Sequence, residues 1–225
     1  PITGNVSGFS INQTSGVLVE HAGPAASSAN PQSVAADPSG RYLYVVNQGS
    51  NNVSAFSIAS GTGILSVIGP TGVGAGPRAV TVEPSGRFAY VVNATTNQVS
   101  RFSIQTNGAL GTEVVAISPS ANVIPRAIAV DSTGRFLYVA NNGDHTVSAY
   151  LIASADGSLT GIGSPFSVAP SGTAPVSLSA DPLGQFLYVA NGTTDKVSAF
   201  GINQTSGALV LLAGSPFTLV PPTSP

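Results

Sequence analysis

The sequence predicts an all-β fold: a β-propeller of four-stranded antiparallel blades, with four complete blades plus one outer half blade per chain. Three observations predict it. Tyr44-Val45-Val46-Asn47, Tyr90-Val91-Val92-Asn93, Tyr138-Val139-Ala140-Asn141 and Tyr188-Val189-Ala190-Asn191 recur at spacings of 46, 48 and 50 residues, a period that marks stacked units of about four strands. Each copy follows a tight turn such as Asp37-Pro38-Ser39-Gly40 and precedes an alternating run such as Val53-Ser54-Ala55-Phe56. The composition suits short strands joined by many turns, with 26 Gly, 17 Pro and only 7% charged residues, where about a quarter is usual.

The first 24 residues hold a half blade. Val6 to Ile11 reads as a third strand, C, and Val17 to Glu20 as a fourth and outermost strand, D, with no A or B before them. The first full blade spans about 31–70. Ser33 to Ala36 is strand A, and it meets a turn in which Asp first, Pro second and Gly fourth specify type I geometry. Arg41 to Val46 is strand B, Asn47 to Asn52 a polar loop, Val53 to Ile58 strand C and Ile64 to Ile68 strand D. Gly69 to Pro77 is a linker rich in Gly and Pro.

The same plan repeats at about 77–117, 125–167 and 175–217, and a proline-rich tail follows at 218–225. Phe9, Phe56, Phe102, Tyr150 and Phe200 mark five C/D pairs against four A/B pairs. The chain 1–225 thus reads as a single repeat domain whose half blade keeps an unpaired edge. A second copy is the expected cover, giving a homodimeric ring around a twofold axis, or a filament if the contacts do not close. In a monomeric alternative Phe217 to Val220 or Pro1 to Thr3 fills the gap.

A net charge of −2 offers no basic footprint for nucleic acid, and no apolar stretch reaches the length of a membrane span. Cysteine is absent, which removes disulfides and thiolate metal sites. The numbering opens on Pro1 without Met or a leader. A processed chain, a fragment or a portion of something longer is the expectation from this, and low charge with abundant Ser, Thr and Asn gives the separate expectation of export, extracellular, on the cell surface or periplasmic.

The Tyr-Val-X-Asn motif, with its upstream Asp-Pro-Ser-Gly turn and downstream Val-Ser-X-Phe, resembles the YVTN-type repeats of the lactonase-like β-propellers over residues 5 to about 220. The resemblance implies a propeller fold. For function it implies a family that contains sugar-lactone hydrolases, a muconate-cycloisomerising relative and propellers of unassigned role.

Residues present in every copy are explained by the blade. Asp37, Glu83, Asp131 and Asp181 hold one turn position, where a carboxylate accepts backbone N–H bonds, and Asn47, Asn93, Asn141 and Asn191 close strand B. Arg41, Arg87 and Arg135 anchor the turn. Interest lies where the copies differ.

After the proline that opens strand A stand Gln32, Arg78, Arg126 and Val176. Two arginines there suit a carboxylate or phosphate held by bidentate hydrogen bonds. The B to C loop of the third full copy carries Asp144-His145, and His145 is the candidate base although the sequence does not identify a catalytic residue.

The ligand-binding candidates are therefore Arg78, Arg126, Asp144 and His145, for a small anionic or carbohydrate ligand. No metal site is expected, because His21 and His145 lie in different blades, and no cofactor is expected. Two functions follow as expectations. The first is a non-enzymatic exported scaffold or adhesion protein that self-associates through its incomplete blade. The alternative is a lactonase-like hydrolase of the sugar-lactone type, or a fragment of one.

Overall fold

In the computed structural model, which describes residues 3–21, 25–118, 123–168 and 174–218, backbone pairing follows the repeat closely. The tail from 219 onward and Pro1 lie outside the described residues. The chain packs as two compact units, residues 1–115 and 116–225.

The first unit opens with β1 (Thr3–Val6), β2 (Phe9–Ile11), β3 (Leu18–Glu20) and β4 (Ala25–Ala29). β2 pairs with β3 and β1 with β4, so the half blade is one C strand and one D strand, each in two pieces. Its second D piece runs to Ala29, past the boundary at 24 read from the sequence. Blade one follows as β5 (Pro31–Ala36), β6 (Tyr42–Asn47), β7 (Asn52–Ile58) and β8 (Leu65–Gly72). Blade two is β9 (Pro77–Val82), β10 (Phe88–Asn93), β11 (Gln98–Ser103) and β12 (Val114–Ile117), which runs across the division between the units. Each of these sheets is antiparallel and ordered as the chain runs.

The second unit holds blade three, β13 (Pro125–Val130), β14 (Phe136–Asn141), β15 (Thr146–Ile152), β16 (Leu159–Gly161) and β17 (Phe166–Ser167). Blade four is β18 (Pro175–Ala180), β19 (Phe186–Asn191), β20 (Lys196–Ile202), β21 (Leu209–Leu211) and β22 (Phe217–Thr218). The four-strand plan read from the sequence assigns no strand to β17 or β22. The structure pairs β17 with Thr146 and Val147, and β22 with Lys196 and Val197. The reason is backbone demand. β16 and β21 each pair with three residues at the far end of strand C, and the near end has N–H and C=O groups that also need partners.

The A to B turn is held by its carboxylate. Asp131, only 2% exposed, accepts the backbone N–H of Arg135 at 2.9 Å and of Phe136 at 2.8 Å, together with the Thr133 hydroxyl. Asp37 does the same with Arg41 at 2.8 Å and Tyr42 at 2.7 Å. Glu83 reaches the Arg87 and Phe88 N–H groups at 2.8 and 3.1 Å. Burial pushes the Asp37 and Glu83 carboxyls up. The hydroxyls of Ser39 and Ser85 and the turn N–H groups outweigh it, leaving both below the ordinary carboxylate range.

These groups bind a proton less tightly folded than unfolded. Their stabilisation is therefore complete above the unfolded values, about pH 4, and is lost as pH falls through the folded ones. The expected result is a thermal midpoint that holds from neutral pH down to about pH 5 and drops below about pH 4. Glu83→Gln should be less stable at pH 7 and lose less on acidification. A variant with an unaltered acid limb would contradict this role.

Alternation along β6, β7 and their counterparts sends one face of each blade into the next. In the first unit Tyr44, Val46, Val53 and Ala55 of blade one pack on Val80, Ala89, Val91 and Phe102 of blade two. In the second unit Tyr138, Ala140, Val147 and Ala149 of blade three pack on Leu178, Leu187, Val189 and Phe200 of blade four. Each contact is completed by a C to D turn. The Tyr44 hydroxyl donates to the Gly108 carbonyl at 3.0 Å, and the Tyr138 hydroxyl to the Gly207 carbonyl at 3.1 Å.

Candidate functional site

Each sheet has two unlike ends. The end with the A to B and C to D turns is structural. Arg41 and Arg87 donate to Ser39 and Ser85 and stack on Tyr42 and Phe88, while Arg135 stacks on Phe136 and donates to the Gln204 and Thr205 carbonyls. The other end gathers the B to C loops and the links into strand A, and all four sequence candidates lie there.

Repeated polar residues organise that end. The Asn closing strand B donates from Nδ2 to a serine hydroxyl on strand C: Asn47 to Ser54 at 2.9 Å, Asn93 to Ser100 at 2.7 Å, Asn141 to Ser148 at 2.8 Å and Asn191 to Ser198 at 2.9 Å. Asn51, Asn97, His145 and Asp195 occupy one loop position with φ of 49, 52, 60 and 51°. Left-handed backbone there favours Asn, Asp and His among residues with a Cβ, so the fold itself explains why His145 stands at this point.

In the first unit Arg78 is half-buried and already engaged. Its Nη1 donates to Gln32 Oε1 at 3.4 Å. With the Gln48 amide oxygen turned to the guanidinium, Nε and Nη2 donate to it at 3.3 and 3.2 Å. Sequence reasoning passed over Glu113, whose carboxylate accepts the Gly74 N–H at 3.0 Å and the Ser100 hydroxyl. This chain of Asn93, Ser100 and Glu113 has a visible signal in hindsight, an acidic side chain in a stretch with few charges.

The second unit holds Arg126, Asp144 and His145. The link through Val123 and Ile124 lies along the end of β14, with the Asn142 N–H donating to the Ile124 carbonyl at 3.0 Å and Gly143 N–H to Val123 at 3.0 Å. Arg126 begins the strand that follows and is exposed, with no hydrogen bond or ion pair among the described residues. Ile124 has φ of 43°. A β-branched residue in that region costs about 1–3 kcal/mol, the kind of strain that collects at binding sites.

Asp144 does not orient the imidazole. Its Oδ1 accepts the Thr146 hydroxyl at 2.7 Å, and Thr146 in turn accepts Asn141 Nδ2 at 3.0 Å. The His145 Nδ1 is buried without a hydrogen-bond partner among the described residues. Asp144 also lines a cavity of about 240 Å³ with Val123, Ser148, Tyr150 and Ile162.

Tyr150 is the second residue the sequence reading missed, a hydroxyl in a column that is otherwise Phe. Burial raises its pKa, a hydrogen bond with Ser148 offsets this in part, and the Asp144 charge raises it further. Tyr150 is therefore a neutral donor at this wall.

Comparison with known proteins agrees with the repeat. The family model for "Lactonase, 7-bladed beta-propeller" matches residues 3–73 and 69–219. No curated protein matches the chain. Among solved structures, a candidate 6-phosphogluconolactonase from Bacteroides uniformis aligns with a TM-score of 0.80 at 21% identity, covering 93% of this chain and 64% of its own. One from Bacteroides fragilis gives 0.76 at 22%, covering 95% and 65%. The periplasmic gluconolactonase PpgL of Pseudomonas aeruginosa gives 0.73 at 26%, also covering 95% and 65%. The two Bacteroides likenesses show the fold. The chain spans just under two thirds of the length of these structures.

Proposed function

The chain belongs to the seven-bladed lactonase β-propeller family, and from that premise we propose that it serves the hydrolysis of a sugar lactone. In that reaction water oxygen bonds to the lactone carbonyl carbon, the ring C–O bond breaks, and the leaving alkoxide takes a proton. The product is a hydroxy acid, anionic at neutral pH. The family match over both halves of the chain is the observation that carries this reading, and the names of the neighbouring structures support it over a non-enzymatic scaffold.

Arg126 is the residue offered to the ligand. Its guanidinium has no hydrogen-bond or ion-pair partner among the described residues, so it is offered to a carboxylate or a phosphate, whereas Arg78 would first have to leave its two glutamines. Asp144 and Tyr150 supply an acceptor and a donor for sugar hydroxyls. His145 is the proton acceptor for the attacking water.

The test is hydrolysis of glucono-δ-lactone and of its 6-phosphate, followed by acid release, with the chain and with Arg126→Ala, His145→Ala. Loss of about 10²-fold or more in kcat/KM is expected. Unchanged turnover in the double variant would dispose of the assignment.

A further inference from the structure

Three departures from the repeat meet at one cavity in blade three. Three places after the strand B asparagine, the other blades carry Ser50, Thr96 and Thr194, and this blade carries Asp144. Five places after it stand Asn52, Gln98 and Lys196 against Thr146, and nine places after it Phe56, Phe102 and Phe200 against Tyr150. The sheet does not ask for these residues, because the other blades build strands B and C without them. We propose that the cavity, of about 240 Å³, binds a single neutral cyclic polyol, a monosaccharide ring with adjacent free hydroxyls, and rejects the acid anion of the same sugar. This deepens the hydrolase reading above, on which it rests for a sugar as the polyol.

One side chain sets both polar walls. The Asn141 amide gives one hydrogen to the Thr146 hydroxyl at 3.0 Å and the other to the Ser148 hydroxyl at 2.8 Å. Thr146 passes its own hydrogen to Asp144 Oδ1 at 2.7 Å, which holds the carboxylate and leaves Oδ2 as an acceptor with no hydrogen bond among the described residues. In the other arm Ser148 and Tyr150, each 7% exposed, are hydrogen-bonded to each other. Two hydroxyl hydrogens serve that one bond, and Ser148 is already an acceptor for Asn141, so one O–H remains to be given away. Asp144, Ser148 and Tyr150 all line the cavity.

This wall chemistry selects the ligand. A spare O–H beside a spare carboxylate oxygen needs a partner that accepts and donates at once, as adjacent sugar hydroxyls do. An ammonium only donates and would leave the O–H unmet. A carboxylate or phosphate would be brought against Asp144, with no lysine or arginine among the described lining residues. Val123, Ile162 and Pro165 add apolar wall for the C–H face of a ring. Drug-sized sites run to about 300–1,000 Å³, so this one has room for one ring.

Strand D leaves the opening. β16 stops at Gly161 and β17 starts at Phe166, whereas β8 of blade one stays paired with β7 past the same point. A Cβ on Gly161 or Gly163 would meet nothing within 4 Å. Hydrolysis turns a neutral lactone ring into an anionic open chain, so the wall that holds the substrate would also expel the product.

The experiment follows the Tyr150 and Ile162 resonances of the whole chain while methyl β-D-glucopyranoside, whose ring cannot open, and sodium gluconate are titrated in turn. Expected are saturable shifts at millimolar glucoside and binding of gluconate weaker by about tenfold or more. Asp144→Thr and Tyr150→Phe each restore a residue that other blades carry, so both keep the fold, and each should weaken glucoside binding about tenfold. Three results would overturn the proposal: no shift at the highest soluble glucoside concentration, equal binding of gluconate, or unchanged glucoside binding in the double variant. Gluconolactone turnover is measured on the same samples. Turnover without glucoside binding sinks the proposal and spares the hydrolase reading, and binding without turnover does the reverse.

Discussion

Gly207→Ala should destabilise the second unit by about 3 kcal/mol, while the matching Gly16→Ala should cost about 1 kcal/mol. The two glycines stand at the same point of nearly identical turns, Asn203-Gln204-Thr205-Ser206-Gly207 and Asn12-Gln13-Thr14-Ser15-Gly16, with φ of 73 and 71°. Backbone strain from a Cβ is therefore common to both. The surroundings differ. A Cβ on Gly207 would lie 2.3 Å from the Phe136 ring and 2.8 Å from Ile162, and one on Gly16 would meet nothing within 4 Å.

Overpacking in an interior forces side chains off their rotamers at about 1–3 kcal/mol, and here the obstructing ring is itself pinned. Phe136 is buried, carries Arg135 on its face at 4.9 Å and belongs to the strand whose Tyr138 hydroxyl bonds the Gly207 carbonyl. Urea unfolding of the two variants beside the parent chain separates strain from packing. Equal losses would mean that Phe136 is not seated on the turn.

The blade was legible because its specifying residues act locally. The turn carboxylates bond N–H groups four and five residues ahead, the strand B asparagines bond hydroxyls seven residues ahead, and both patterns recur with the motif that reveals them. What escaped was non-local. β17 and β22 are two residues long, and only unmet backbone groups on a strand some twenty residues earlier place them.

The site shows the same divide. Asp144 and His145 share one loop, yet the Asp144 carboxylate accepts the Thr146 hydroxyl, a contact their adjacency in sequence does not reveal. Arg78 looked equivalent to Arg126 in sequence. Gln32 and Gln48 from the preceding blade make them unequal. Glu113 sits in no repeated pattern, and Tyr150 differs from its column by one oxygen.

Phe102→Ala should cost about 3–5 kcal/mol, and Phe9→Ala less than about 1 kcal/mol. Both phenylalanines hold the aromatic position of strand C, and the sequence gives no ground to rank them. Phe102 is fully buried and meets Tyr44, Val46 and Val53 of blade one in a single cluster. Truncation there removes a whole ring from contacts that the strands on either side cannot close over. Phe9, in the half blade, is 49% exposed, and its truncation removes little area that folding takes from water. Thermal midpoints of the two variants test the comparison. A Phe9→Ala loss as large as that of Phe102→Ala would mean that the Phe9 ring is covered in solution.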